Sequence, residues 1–203
     1  MPTTAGPGVQ DPTALLLIDL QRDFCPGGAL AVRGGDFVIP IVNRLLLASP
    51  PDCPLYATRD WHPHSSTHFK PHGDWPPHCV AASDGARFHP KLALPPNARS
   101  VSKGVEPESD GYSAFDGALE NGTPLEEELR DRGVTHVIVA GLATDYCVRH
   151  SVLDGLGCGW AVTVVTDAIA PVDLQVGDGE RALQEMKAAG ATLRPSHDLF
   201  SRS

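Results

Sequence analysis

Apolar residues follow two rhythms along this chain. Some form short unbroken runs: Ala14-Leu15-Leu16-Leu17-Ile18-Asp19-Leu20, with one acid near its end, Val137-Ile138-Val139-Ala140, and residues 161–166. Such runs, bounded by turn residues, predict parallel strands buried on both faces. Shorter strands are predicted over residues 55–58, 101–102 and 191–193. Other apolar residues recur at helical spacing. Ile39, Val42, Leu45 and Leu46 share one face of a predicted helix over residues 36–47, with Asp36 as N-cap. A second helix is predicted over residues 123–130, with Thr123 as cap and Pro124 in its first turn, stopped by Gly133. A third follows Gly141 and carries Cys147 near its start. A fourth covers residues 180–189 and stops at Gly190.

Strands alternating with helices predict a three-layer α/β fold, α-β-α, around a mainly parallel, doubly wound sheet. In such sheets the functional site lies beyond the carboxyl ends of the strands. Asp19, Asp60, Lys103 and Cys147 each fall at or just past such an end, so four reactive groups from separate strands converge on one edge. Residues 60–96 break both rhythms and are crowded with Pro, Gly, His and Trp. A loop this long within a compact domain is usually functional or disordered, and its two tryptophans and several histidines favour function.

Composition narrows the choices. A length of 203 residues with 41% hydrophobic and 20% charged residues fits one globular domain, expected over residues 13–203 behind a flexible tail over residues 1–12. No apolar run approaches the roughly 20 residues that span a bilayer. Residues 1–11 have neither positive charge nor an apolar segment, so no signal peptide is expected. The net charge of −9, with no basic cluster against it, excludes nucleic acid and anionic membrane as general partners. Five cysteines at irregular spacing, without CxxC, suit reduced thiols in a cytoplasm. No surplus apolar stripe specifies an assembly beyond a monomer or small homo-oligomer.

The candidate chemistry begins with Cys147. A thiol at a strand-to-helix turn meets a helix N-terminus, which lowers its pKa and supplies N–H groups for an oxyanion; a half-buried structural cysteine is the plain alternative. Asp19, an acid inside an apolar run, could act as general base or simply cap a turn. Lys103 could tune both ionisations, although most lysines are solvated surface charges. Asp60 and His62 form a D-x-H pair at a strand end. Five of the nine histidines (His62, His64, His68, His72 and His78) lie between residues 62 and 78, a clustering that points to zinc, iron or manganese rather than a merely solvated loop. Phe24, Trp75 and Tyr112 could wall a flat pocket for a planar ring, or pack in the core.

Together these segments resemble the nicotinamidase/pyrazinamidase branch of the isochorismatase-like cysteine hydrolases. The similarity runs over residues 14–193. Its motifs are Ile18-Asp19-Leu20-Gln21-Arg22-Asp23-Phe24, Thr58-Arg59-Asp60-Trp61-His62, Trp75-Pro76-Pro77-His78-Cys79-Val80, Lys103-Gly104 with Gly111-Tyr112-Ser113-Ala114-Phe115, and Gly141-Leu142-Ala143-Thr144-Asp145-Tyr146-Cys147-Val148. The resemblance implies an Asp19–Lys103–Cys147 triad and an oxyanion hole from the backbone N–H groups of Ala143 and Cys147, next to a cis Leu142–Ala143 peptide. It also implies one divalent metal ion (zinc, iron or manganese) on Asp60, His62 and His78. His68 is the expected fourth ligand, with His64 and His72 as alternatives. The implied reaction is hydrolysis of nicotinamide, and of pyrazinamide, through a thioester on Cys147. The ring would lie between Phe24, Trp75 and Tyr112, its nitrogen on or near the metal. The competing expectations are a related amidohydrolase acting on another small amide, such as an N-carbamoyl compound, and a non-catalytic metal-binding or redox-sensing protein.

Overall fold

The computed structural model describes residues 12–200. The expected tail, apart from Pro12, lies outside the described residues. Seven strands form one sheet in the order β4-β3-β2-β1-β5-β6-β7. In chain order they are β1 (Thr13–Ile18), β2 (Leu55–Asp60), β3 (Arg99–Lys103), β4 (Ala118–Leu119), β5 (His136–Leu142), β6 (Ala161–Ala170) and β7 (Thr192–Arg194). All neighbours run parallel except β3 and β4. The helices are α1 (Val38–Ala48), α2 (Leu125–Asp131), α3 (Arg149–Gly157) and α4 (Asp178–Ala188).

The period of a strand decides what each face buries. Along β1, Ala14, Leu16 and Ile18 pack with Leu129 of α2, Val152 of α3 and Met186 of α4. Leu15 and Leu17 point the other way, onto Val38, Ile39, Val42 and Leu45 of α1. Both faces are covered, which is why β1 reads as an unbroken apolar run. Each of its leucines is almost wholly buried and contributes about 1.5–3 kcal/mol through that burial, as an upper bound.

The structure corrects several sequence expectations. Asp36 does not cap α1. It sits inside a 3-10 turn, Gly35–Phe37, that runs directly into the helix. Thr123 does not cap α2 either: its carbonyl accepts from the Leu119 N–H at 2.9 Å, which keeps the chain extended until Pro124, the true N-cap position. β2 continues two residues beyond Thr58, because Arg59 and Asp60 pair with Ser102 and Lys103. β6 continues to Ala170, because a register shift lets Ile169 and Ala170 pair with Gly141 and Leu142. The short antiparallel strand β4 was not expected; two residues give no period to read.

Candidate active site

Strand pairing assembles the site. Asp60 and Lys103 are direct partners across β2 and β3, and Ile18, just before Asp19, pairs with Gly141 across β1 and β5. A Cβ at Gly141 would collide with the Ile18 carbonyl oxygen, so only glycine lets the two strands close there. Asp19 itself is left-handed (φ 47°), a conformation that aspartate tolerates better than most residues. Thr58 locks it: the Thr58 hydroxyl donates to Asp19 Oδ1 at 2.6 Å and accepts from the Asp19 backbone N–H at 3.1 Å.

Lys103 is wholly buried at the centre. Its Nζ lies 2.8 Å from Asp19 Oδ2 and 3.5 Å from Cys147 Sγ, donates to the Gly111 carbonyl at 2.6 Å, and pairs with Asp60 Oδ1. Burial works against an ammonium, but Asp19 and Asp60 outweigh it and hold the Lys103 pKa well above the usual lysine value. Asp19, Asp60 and Cys147 also bring their polar atoms within 4.8 Å of one another. The cation for that acidic trio is the Lys103 ammonium. Burial pushes Asp19 up to about 6 despite Lys103.

Cys147 occupies a turn of π-helix, Thr144–Val148, that precedes α3, and the Leu142–Ala143 peptide before it is cis. The helix N-terminus does not dominate this thiol as the sequence suggested. Burial pushes the thiol well above its usual range, and Lys103 only partly opposes that. At rest the proton therefore belongs on sulfur, with the Asp19 carboxylate ionised beside it at neutral pH.

The second half of the site shares Asp60. While Oδ1 faces Lys103, Oδ2 lies 3.7 Å from His62 Nε2 and 4.0 Å from His78 Nε2. One ring nitrogen from each of His62, His68 and His78 falls within 4.8 Å of the other two, and all three rings are buried. His64 and His72 are exposed outside this group. The His78 Nδ1–H donates to the Pro76 carbonyl at 2.8 Å, which turns Nε2 inward. Burial lowers the His78 pKa to about 4 and that of His68 as well, so both rings are neutral at physiological pH, as a metal requires. His62 decides the fit. Both of its ring nitrogens are buried without a hydrogen-bond partner, a costly state that a bound cation relieves. Gly104 leaves room for that ring; a Cβ there would collide with His62 Cε1.

Phe24, Trp75 and Tyr112 do line one narrow cavity, together with Cys147, Ala143, Asp60, His68 and His78. The Trp75 Nε1–H donates to the Tyr112 hydroxyl at 2.9 Å. Four further wall residues escaped sequence reading: Leu30, Val32, Tyr146 and Val172. Tyr146 stands edge-on to Trp75, with ring centroids 5.0 Å apart. Two supporting residues were also missed. The buried Gln21 amide accepts from the Asp60 N–H at 2.8 Å and donates to the Asp60 carbonyl at 2.8 Å and the Ala86 carbonyl at 2.9 Å. Asp23 Oδ2 accepts from the Cys79 N–H at 2.7 Å, next to His78. The only signal for either was a polar residue inside a matched motif.

The description of one family model, the isochorismatase domain, matches residues 13–198. The chain belongs to the isochorismatase family. It is 43% identical over 200 residues to the nicotinamidase of Escherichia coli K12, a match covering 90% of this chain and 94% of that protein. Two solved structures superpose closely. The pyrazinamidase of Pyrococcus horikoshii in complex with zinc has a TM-score of 0.82 at 40% identity, covering 91% of this chain and 99% of that one. PnC1 from L. infantum in complex with nicotinate has a TM-score of 0.81 at 36% identity, covering 91% and 93%.

Proposed function

We propose that this isochorismatase-family enzyme hydrolyses nicotinamide, and with it pyrazinamide, to the carboxylic acid and ammonia. The observation that carries this reading is Lys103 Nζ, 2.8 Å from Asp19 and 3.5 Å from Cys147 Sγ, with Cys147 itself lining an aromatic-walled cavity. A planar ring fits between Phe24, Trp75 and Tyr112, with its amide above the thiol. The names of the relatives at 43% and 40% identity supply the substrate class.

Asp19 takes the Cys147 proton as sulfur attacks the amide carbon. The resulting oxyanion is stabilised by the Ala143 and Cys147 backbone N–H groups and by the Lys103 charge. The protonated Asp19 passes its proton to the departing nitrogen as the C–N bond breaks, which releases ammonia and leaves a thioester. Asp19 then removes a proton from water as the water oxygen bonds to the thioester carbon; the C–S bond breaks, the carboxylic acid departs, and the proton on Asp19 returns to sulfur. A carboxyl with a pKa near 6 suits both halves of this exchange, since it can accept and release a proton near neutrality.

Asp60, His62, His68 and His78 would hold one divalent cation, and the zinc complex of the Pyrococcus relative favours zinc. Bound there, a cation supplies Lewis acidity beside the cavity. His62→Ala should lower zinc content to well under one equivalent and raise KM; unchanged metal content by atomic emission would refute this ligand set. Five free cysteines fit a reducing compartment, and we place the enzyme in the cytoplasm. Among the described residues no helix is long and apolar enough to cross a membrane.

The deciding experiment offers zinc-loaded protein nicotinamide, pyrazinamide and an N-carbamoyl amino acid and follows ammonia. The expected result is equimolar ammonia and acid from the two ring amides and none from the carbamoyl compound. Ammonia from the carbamoyl compound alone would replace this substrate assignment with the other branch of the family.

A further inference from the structure

The segment after β3, residues 104–112, touches both halves of the site. The Gly111 carbonyl accepts from Lys103 Nζ at 2.6 Å, and the Tyr112 hydroxyl accepts from Trp75 Nε1 at 2.9 Å. The Pro107 carbonyl accepts from the Thr67 N–H at 2.8 Å and from the Thr67 hydroxyl at 3.0 Å, which pins the loop that carries His68. Between these anchors, Asp110 Oδ1 lies 2.8 Å from His68 Nδ1.

We infer that Asp110 is a positioning residue that fixes the tautomer and direction of His68, so that its Nε2 completes the cation site. This inference rests on the metal reading of the His62, His68 and His78 cluster. A neutral imidazole carries one N–H, and the two tautomers are close in energy. An ionised carboxylate only accepts, so its contact with Nδ1 places the hydrogen there and leaves the Nε2 lone pair for a ligand. The three histidines are held differently. His78 is fixed by a backbone carbonyl, and His62 packs among the rings of His68, Phe69 and His78 with no hydrogen-bond partner. His68 alone among the three has a charged side chain within hydrogen-bond distance of a ring nitrogen, and that side chain belongs to a different loop.

As an ordinary ion pair the contact would matter little. The Asp110 side chain is 65% exposed, and exposed pairs contribute about 0–1 kcal/mol to stability. A role in positioning has a separate signature: metal affinity falls while the metal-free fold is unaffected. Removing a carboxylate that orients a metal-bound histidine typically weakens metal binding about 10–100-fold.

The test compares wild type, Asp110→Asn, Asp110→Ala and His62→Ala for zinc affinity by competition with a chromogenic chelator, and for melting after metal removal. Asp110→Ala should weaken zinc binding about 10–100-fold. Asp110→Asn, whose amide oxygen still accepts from Nδ1–H, should weaken it less. Both should melt like wild type when metal-free, and both should regain most of their turnover at saturating zinc. Wild-type affinity in Asp110→Ala, alongside lost affinity in His62→Ala, would overturn the inference and leave the metal reading standing. A wild type that takes up no zinc would overturn both.

Discussion

Cys147→Ala protein should release no measurable ammonia from nicotinamide, on the order of 10⁴-fold or more below wild type, because no other group at the site can form the acyl intermediate. It should also remain folded. The thiol is a small buried group at the end of a packed cluster, and its loss leaves Lys103 with Asp19, Asp60 and the Gly111 carbonyl as partners. Removing one buried heavy atom without stranding a polar group costs about 1 kcal/mol, which shifts melting by a few degrees. Ammonia release and thermal melting on the same preparation check both halves. Turnover near wild type would end the thioester mechanism.

Lys103→Met should fail in both assays. The ammonium is the shared counter-charge of two carboxylates that are themselves buried, and removing one partner of a buried ion pair costs about 3–5 kcal/mol. Turnover should vanish, since neither the oxyanion nor the ionised Asp19 keeps its cation. The stability deficit should depend on pH in a stated direction. Without Lys103, burial of Asp19 is opposed only by the Thr58 hydrogen bond and carries its pKa further above 6, against about 4 in the unfolded chain. The folded variant then binds more protons than the unfolded one across that window, so its stability falls as pH rises and recovers as pH falls. Denaturant unfolding of chelator-treated protein at pH 5 and pH 8 should show the gap from wild type narrowing at pH 5. Equal stability at pH 8 would mean that the buried charges do not depend on Lys103.

Much of the candidate site's convergence was legible because it follows from strand ends. Buried parallel strands announce themselves as apolar runs, and the residues that close those runs, Asp19, Lys103 and those leading to Cys147, must share an edge. The histidine-rich loop was legible by composition, but which histidines turn inward was not. His62, His68 and His78 are selected over His64 and His72 by contacts from distant segments: residues 79–81, which pair with the chain at His62, and Asp110. Leu30, Val32 and Val172 stayed hidden for the same reason, as loop residues with no period of their own. The ionisation of Cys147 misled because a helix N-terminus is visible in sequence and the depth of burial is not. Here burial is the larger effect.

The place of β1 between β2 and β5 has a consequence for biosynthesis. A nascent chain has made β1, β2 and β3 once Lys103 is translated, yet β5 ends only at Leu142. Until then one side of β1 offers the unpaired backbone of Leu15, Leu16 and Leu17 to any neighbouring polypeptide, the kind of open edge that seeds aggregation. At typical elongation rates that exposure lasts roughly two to eight seconds. Cys147 follows β5, so the proposed nucleophile is the last of the three proposed catalytic groups to leave the ribosome. A polypeptide truncated before β5 carries the sticky edge and lacks Cys147, which makes such fragments a burden for chaperones and proteases and, on the proposed mechanism, not a source of stray amidase activity.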